Sequence, residues 1–379
     1  MVTARTRVLV PALAGLLVTG GAPTLAQDAE TRVAVTISES GCEPSTLSVP
    51  AGPVVFEITN FGGGVGEFEI LRDDFVIDEV ENIVPTFQNN LVSRLDGGEY
   101  GLICFSIQAP RGTLSVTGGP AGSRPPSGVV DADTLAAYQA EYETYVRAQG
   151  TTFAEAVAGF VTAIEAGDLE TAKTLYAPSR IGWESIEPVA ELFSDLDQAM
   201  DFREEDFAAG VDDPAFTGYH RIERLLWVDG ASGDLDALAD QLLANANDLA
   251  QRLQSLSIDP YQMTQGAGAL IDEVAQTKMT GEEDRYSGTD LWSIQANIDG
   301  SQRIVDIVRP SLAAADQGYL DRLDAAFAAV NAVTDRYRTD DGFQAFSAIA
   351  PEDITAMQAA LAGLSELLGQ LSGTLGLSA

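Results

Sequence analysis

Histidine is almost absent from this chain, because its 379 residues contain only one, His220. Cysteine is also scarce and is limited to Cys42 and Cys104. The usual zinc-peptidase signature, H-E-x-x-H, needs two histidines, and a blue-copper centre needs two histidines, a cysteine and a weak methionine ligand. The single histidine therefore argues against a zinc peptidase and excludes a blue-copper protein.

Basic residues are the second shortage. The chain has 21 Lys and Arg against 57 Asp and Glu, for a net charge of −36. Contact with nucleic acid depends on Lys and Arg, so this class of partner is excluded. Such a surface concentrates cations around it. The alternative interpretation is that most of the acidity only maintains solubility.

Long apolar runs are also missing, which predicts a chain that does not span a membrane. The longest run, residues 8–18, follows Arg5 and Arg7 and precedes a small-residue cleavage site ending at Ala26. This order is typical of a secretory signal peptide. We therefore expect residues 1–26 to be removed and the mature protein to be exported to the periplasm. No cysteine lies at the cleavage site to carry a lipid.

The remainder divides by composition into a strand-rich part and a helix-rich part. Six period-two segments separated by Gly, Pro and Asp turns predict a small β-sandwich over residues 27–118. The segments are 32–38, 53–60, 67–71, 86–95, 99–104 and 113–117. A Gly- and Pro-rich linker is expected at 119–130. From residue 131 to 379 the Ala- and Leu-rich pattern predicts a bundle of helices, or two bundles packed together.

The only histidine lies in one of these predicted helices, over residues 216–228, with Asp212, Asp213 and Pro214 as start signals. His220 and Glu223 are three residues apart and so share a face of the helix. An imidazole and a carboxylate on a buried face suit a pair of metal ligands. The alternative is a core histidine held by an ion pair.

Acidic residues elsewhere in the helical part can complete such a site. Glu184 and Glu187 share the same spacing of three, Asp201 follows, and Glu283 lies in a dense acidic loop at 281–287. With His220 they would supply one nitrogen and several oxygens, which suits iron and manganese and suits zinc less well. Facing helices of a bundle deliver ligands in this way. The alternative is that these acids only form solvated faces.

Several segments resemble a known family over nearly the whole mature chain. They include Cys42-Glu43-Pro44, Ile186-Glu187-Pro188-Val189-Ala190, the His220-x-x-Glu223 helix and Gly281-Glu282-Glu283-Asp284-Arg285-Tyr286-Ser287. These segments are similar to those of the EfeO family of exported iron-binding proteins. The resemblance implies a Greek-key cupredoxin-like β-sandwich followed by an imelysin-like domain of paired four-helix bundles.

The resemblance also implies site residues. In the helical domain the metal ligands would be His220, Glu223, Glu184, Glu187, Asp201 and Glu283, with Asp197 or Glu282 as alternatives for the last two. A second metal site is implied in the β domain near Cys42, Glu67 and Cys104, with copper as one candidate ion. Position 102, where related chains carry methionine, is leucine here. The two cysteines form either a disulfide or a pair of metal thiolates.

The function that the resemblance implies is capture of ferrous or ferric iron and delivery to an inner-membrane iron permease. A haem-dependent peroxidase of the same uptake system is the second implied partner. Two other functions stay open. One is an imelysin-like metallopeptidase, with Glu187 or Glu223 as general base. The other is a module that binds acidic polysaccharide through bridging metal ions.

Overall fold

A computed structural model describes residues 31–72, 75–106, 109–120, 129–190, 192–231 and 233–377. The predicted signal peptide lies outside the described residues, as does most of the predicted linker. Within the described residues, no helix combines the length and the apolar character that crossing a membrane requires.

The first part of the chain forms two β-sheets packed face to face. The strands are β1 (Thr31–Ser38), β2 (Gly41–Glu43), β3 (Thr46–Pro50), β4 (Gly52–Asn60), β5 (Gly66–Arg72), β6 (Phe75–Ile83), β7 (Gln88–Leu95), β8 (Gly98–Cys104) and β9 (Gly112–Thr117). One sheet has the order β2-β1-β4-β7 and the other has the order β3-β9-β8-β5-β6. Inward-facing residues of both sheets, including Phe56 and Phe68, form a common core. The predicted cupredoxin-like sandwich is confirmed.

Cys42 and Cys104 form a disulfide that joins β2 to β8 within this core. Of the two alternatives left open by the sequence, the structure shows the covalent one. Both sulfurs are consumed by the bond, so neither is a thiolate ligand. The expected metal site that included Cys42 and Cys104 is therefore wrong for these two residues.

The second part is helical, as predicted. Its elements are α1 (Ala132–Glu165), α2 (Leu169–Glu184), α3 (Glu187–Ala190), α4 (Ser194–Met200), α5 (Gly218–Trp227), α6 (Leu235–Arg252), α7 (Pro260–Gln276), α8 (Asp290–Thr334), α9 (Pro351–Leu368) and α10 (Leu371–Thr374). Helices α1, α2, α5 and α6 pack into one group and α7, α8 and α9 into another, and α2 joins the groups by packing on α8. A small hairpin, β10 (Arg338–Thr339) and β11 (Gly342–Phe343), precedes α9.

Helix α8 bends back on itself near its middle. Asp316 has non-helical backbone angles, φ −155° and ψ 91°, and its carboxylate accepts a hydrogen bond from the backbone N–H of Tyr319 at 2.9 Å. Gln295 donates to Asn331 at 3.0 Å across the two halves. The two halves therefore run antiparallel and supply two helices of the second group.

The two parts of the chain touch along the outer face of the five-stranded sheet. Val76 donates a backbone hydrogen bond to Leu192 at 2.7 Å, and the rings of Phe75 and Phe193 meet edge to face at 5.2 Å. Gln262 of α7 donates to the carbonyl of Ile77 at 2.8 Å. Strand β6 is thus the part of the sandwich that faces the helices.

Candidate metal centre

Helix α5 carries the histidine into the core of the helical domain. It begins at Gly218, whose φ is +72°, and a Cβ at this position would lie 2.3 Å from the carbonyl oxygen of Met200. Only glycine allows this approach to the end of α4. The residues expected to start the helix are not part of it. Asp213 accepts a hydrogen bond from the N–H of Ala215 at 3.0 Å, before the helix begins. His220 and Glu223 are nevertheless both buried on one face, as predicted.

The His220 ring lies between two carboxylates. Its Nε2 is 3.4 Å from Oδ1 of Asp201 and its Nδ1 is 3.6 Å from Oε2 of Glu223. Both distances are too long for good hydrogen bonds, and both ring nitrogens are buried without a hydrogen-bond partner. Burial alone would lower the pKa of His220, but the contacts with Asp201 and Glu223 outweigh it and raise the pKa to about 10. Without a metal ion, a proton therefore compensates these carboxylates.

Glu223 is oriented by the acidic loop that precedes α8. Its Oε1 accepts from the N–H groups of Tyr286 at 3.0 Å and Ser287 at 2.7 Å. Its Oε2 is buried without a partner. One ligand atom each from His220, Glu223 and Asp284 lies within 4.8 Å of the others, and all three residues are buried. The loop thus supplies a further candidate ligand, Asp284, which the sequence pattern alone did not indicate.

Asp284 is held as firmly as Glu223. The Tyr176 hydroxyl donates to its Oδ1 at 3.0 Å and the Ser293 hydroxyl donates to its Oδ2 at 3.2 Å. Burial, reinforced by the charge of Glu223 against the opposing effect of Arg180, raises the pKa of Asp284 to about 8. A cation at this position would stabilise the ionised carboxylate.

A second triplet lies on the other side of the ring. Asp201, His220 and Glu283 also offer ligand atoms within 4.8 Å of one another. Asp201 accepts from Arg180 at 2.5 Å and from the indole N–H of Trp183 at 2.8 Å. Glu283 accepts from Arg180 at 3.1 Å. Burial opposes ionisation of Asp201, but Arg180 and then His220 hold its pKa well below the usual range.

The remaining two expected ligands, Glu184 and Glu187, are occupied by another cation. Nζ of Lys278 lies 3.0 Å from Oε2 of Glu184 and 2.5 Å from Oε1 of Glu187. Asn297 of α8 donates to the same two carboxylates at 3.1 and 2.5 Å. Lys278, Glu184 and Asn297 are fully buried. The structure therefore joins Glu184 and Glu187 to Lys278 rather than leaving them open beside His220.

Arg180 connects the two clusters. Its guanidinium contacts Glu184, Asp201 and Glu283 and lies over the ring of Tyr219 at 5.1 Å. All six expected ligands thus belong to one connected network of buried charges.

The donor set around His220 fits a metal ion. The buried atoms without a hydrogen-bond partner in this network include both ring nitrogens of His220, Oε2 of Glu223 and Oδ2 of Asp290, together with Nε of Arg180 and Oδ1 of Asn297. Buried polar groups are normally satisfied, so each such atom requires an explanation. One nitrogen and several carboxylate oxygens suit Fe(II), Fe(III) or Mn(II) better than a soft ion such as Cu(I).

Comparison with known proteins gives the same division of the chain. A cupredoxin-like domain family matches residues 10–116 and the imelysin family matches residues 138–371. The iron uptake system component EfeO of Escherichia coli K12 is 42% identical over 346 residues, covering 91% of this chain and 92% of that protein. The protein of the same name from Yersinia pseudotuberculosis is 41% identical, with 91% of each chain covered. The chain belongs to the EfeO family.

In this EfeO-family chain, Glu67 and the two cysteines lie in different surroundings. It lines a cavity of about 390 Å³ between the sandwich and the helices, together with Glu81, Asp201 and Glu283. Glu67 therefore faces the helical domain, whereas Cys42 and Cys104 are bonded to each other inside the sandwich. A site that combines Glu67 with two thiolates is not present in the described structure.

Proposed function

We propose that this EfeO-family chain is an exported, periplasmic protein that captures ferrous or ferric iron and hands it on. The iron binds at His220, with oxygen ligands from Glu223, Asp284, Asp201 and Glu283. The observation that carries the proposal is the buried His220 ring, whose two unpartnered nitrogens lie between carboxylates. The relatives from Escherichia coli and Yersinia pseudotuberculosis are named as iron uptake components, which supports iron as the cargo.

Capture depends on exchange of cations within the buried network. The raised pKa of His220 favours a proton on its ring, and this proton and the amine of Lys278 would balance part of the carboxylate charge. An arriving iron ion displaces the proton, because a metal-bound imidazole is neutral. Once Lys278 turns away, Oε1 of Glu187 becomes free to bind the ion as well, whereas Glu184 is still held by Arg180 and Asn297. The reverse steps release the ion, so binding is tight and still reversible.

Delivery requires partners outside this chain. We propose that an inner-membrane iron permease receives the ion and that a haem-dependent peroxidase of the same uptake system acts with it. The word "component" in the relatives' names supports membership of such a system. The protein itself acts as a carrier rather than an enzyme in this proposal.

Calorimetric titration of the mature chain tests the proposal. Fe(II) without oxygen and Fe(III) citrate are added to wild type, to His220→Ala/Glu223→Ala and to Asp340→Ala/Asp341→Ala. The control pair is exposed in the β10–β11 hairpin. We expect the site variant to lose at least about 100-fold in iron affinity, or about 2.7 kcal/mol, and the control to bind as wild type does. Equal affinity in both variants would overturn the proposed site.

A further inference from the structure

Arg180 of α2 is a buried cation in direct contact with the carboxylates of the histidine centre. Its side chain is only 1% exposed, and its Nη1 lies 2.5 Å from Oδ1 of Asp201. Its Nη2 lies 3.1 Å from Oε1 of Glu283, and its Nε lies 3.7 Å from Oδ1 of Asp284. Arg180 therefore contacts three of the four carboxylates that the proposed function assigns to iron.

The surroundings of Arg180 hold its guanidinium in one place. The group lies over the ring of Tyr219 at 5.1 Å, and the Tyr219 hydroxyl donates to the carbonyl of Ser179 at 3.1 Å. Glu184, one turn further along α2, accepts a hydrogen bond from Nη2. These contacts enclose the guanidinium on several sides and keep its charge beside the site.

Arg180 differs from the other two cations of the network in that its charge is permanent. A proton on His220 is lost when the imidazole binds a metal ion. The amine of Lys278, which contacts Glu184 and Glu187, is carried on a flexible stem, and a buried lysine can give up its proton. Arginine does not lose its proton in proteins. Arg180 therefore remains positively charged beside bound iron.

A permanent positive charge acts differently on the two oxidation states of iron. It repels Fe(III) more strongly than Fe(II), because the Coulomb energy is proportional to the charge of the ion. The hydrogen bonds from Arg180 to Asp201 and Glu283 also draw negative charge away from two ligand carboxylates, and such partners of a ligand tune the metal that it binds. Both effects disfavour the more highly charged ion.

We propose that Arg180 is a specificity-determining residue that shifts the preference of the histidine centre from ferric towards ferrous iron. The inference rests on the proposed function and deepens it, because it names the oxidation state that this residue favours. The carboxylates attract Fe(III) more strongly than Fe(II), and Arg180 reduces that difference. A residue that only balanced buried charge would affect the binding of both ions alike and would leave the ratio of their affinities unchanged.

The reduction potential of the bound iron reports this ratio. The potential falls by about 59 mV for each tenfold gain in the affinity for Fe(III) relative to Fe(II). The iron-loaded mature chain is titrated potentiometrically, and bound Fe(III) is followed by electron paramagnetic resonance. Arg180→Gln removes the charge but keeps hydrogen-bond donors, whereas Arg180→Lys keeps the charge. Arg309→Gln is the control, because Arg309 is partly exposed and pairs with Asp306 and Asp324 rather than with a proposed ligand.

We expect Arg180→Gln to lower the potential by at least about 59 mV, a tenfold change in the affinity ratio. Arg180→Lys and Arg309→Gln should each differ from wild type by less than half of this shift. Equal potentials in Arg180→Gln and Arg309→Gln would overturn the inference while the iron site remained. If His220→Ala kept the wild-type spectrum and potential of bound iron, the proposed iron site would fail instead.

A second comparison removes the same charge from a network with one carboxylate fewer, and it decides the question if circular dichroism shows that Arg180→Gln is unfolded. The two variants are Glu184→Gln and Arg180→Gln/Glu184→Gln. The potential of the double variant should lie below that of Glu184→Gln by at least about 59 mV. Equal potentials in these two variants would overturn the role of Arg180.

Discussion

The side-chain amine of Lys278 lies 2.5 Å from Oε1 of Glu187, at a carboxylate pair expected to bind a metal ion. Burying one charge requires a partner of the opposite sign, and Lys278 supplies it for Glu187 and Glu184 together. The lysine therefore acts as an internal cation that compensates the charge of the pair.

Replacement of Lys278 should distinguish the stability that its amine provides from the stability that bound iron provides. Lys278→Met leaves buried Glu187 with only Asn297 as donor and Glu184 with Asn297 and Arg180, which should cost about 3 kcal/mol or more of unfolding free energy in chelator. Added iron restores the lost charge, so the iron-induced rise in Tm should be larger than in wild type. Thermal unfolding with and without iron measures both effects.

Lys173→Met is the matched control, because Lys173 is partly exposed and makes a surface ion pair with Glu170 at 3.4 Å. Such pairs contribute little to stability. An iron-induced rise in Tm that is the same for both lysine variants would contradict the role assigned to Lys278.

The proton on His220 predicts a pH dependence. Its pKa is raised from 6.5 to about 10, so its stabilising contribution is fully present below pH 6.5 and is lost as the pH rises through about 10. In chelator, the Tm difference between wild type and His220→Gln should therefore shrink over this interval. Iron affinity of the wild type should rise over the same interval, because less protonated imidazole competes with the metal. A Tm difference independent of pH would contradict the charged imidazole.

Asp284 should prove to be an iron ligand rather than only a structural acceptor. Asp284→Asn keeps an oxygen for the Tyr176 hydroxyl, which donates to it at 3.0 Å, but removes the charge. We expect at least a tenfold loss of iron affinity, or about 1.4 kcal/mol, with little change in the fold. Asp306→Asn, at an exposed position of α8, serves as the control. Equal iron affinity in the two variants would remove Asp284 from the site.

The Cys42–Cys104 disulfide should stabilise the sandwich without taking part in iron binding. The bond closes a segment of 62 residues, so Cys42→Ser/Cys104→Ser should lower the unfolding free energy by about 4 kcal/mol on the chain-entropy account. Iron titration of the folded variant should match wild type, and the native chain should show no reactive thiol. Loss of iron binding in the variant would return the cysteines to the metal site.

Much of the fold was predictable because strand and helix periods are local properties. The strand β6 was not, since Asp78, Glu79 and Glu81 interrupt the apolar alternation that marks a strand. These acids line cavities between the sandwich and the helical domain, which no local pattern reveals. Missing β6 also concealed the cavity between the sandwich and the helices, because this strand provides Glu81 and Asn82 of its lining.

The sequence predicted the arrangement of His220 and Glu223 correctly and that of Glu184 and Glu187 less well. His220 and Glu223 share a helical face, and spacing alone predicts that. Glu184 and Glu187 also have this spacing, but a turn at Ser185 and Ile186 separates α2 from α3. Their partner Lys278 is more than 90 residues away in the chain, so only the folded structure brings it to them.

The central claim is that iron is bound by one imidazole and several carboxylates. X-ray absorption at the iron edge of the loaded wild-type chain tests it most directly. The account predicts one histidine nitrogen and otherwise oxygen neighbours, with the imidazole signal lost in His220→Ala. A shell of oxygen alone in the wild type, or sulfur neighbours at about 2.3 Å, would contradict it.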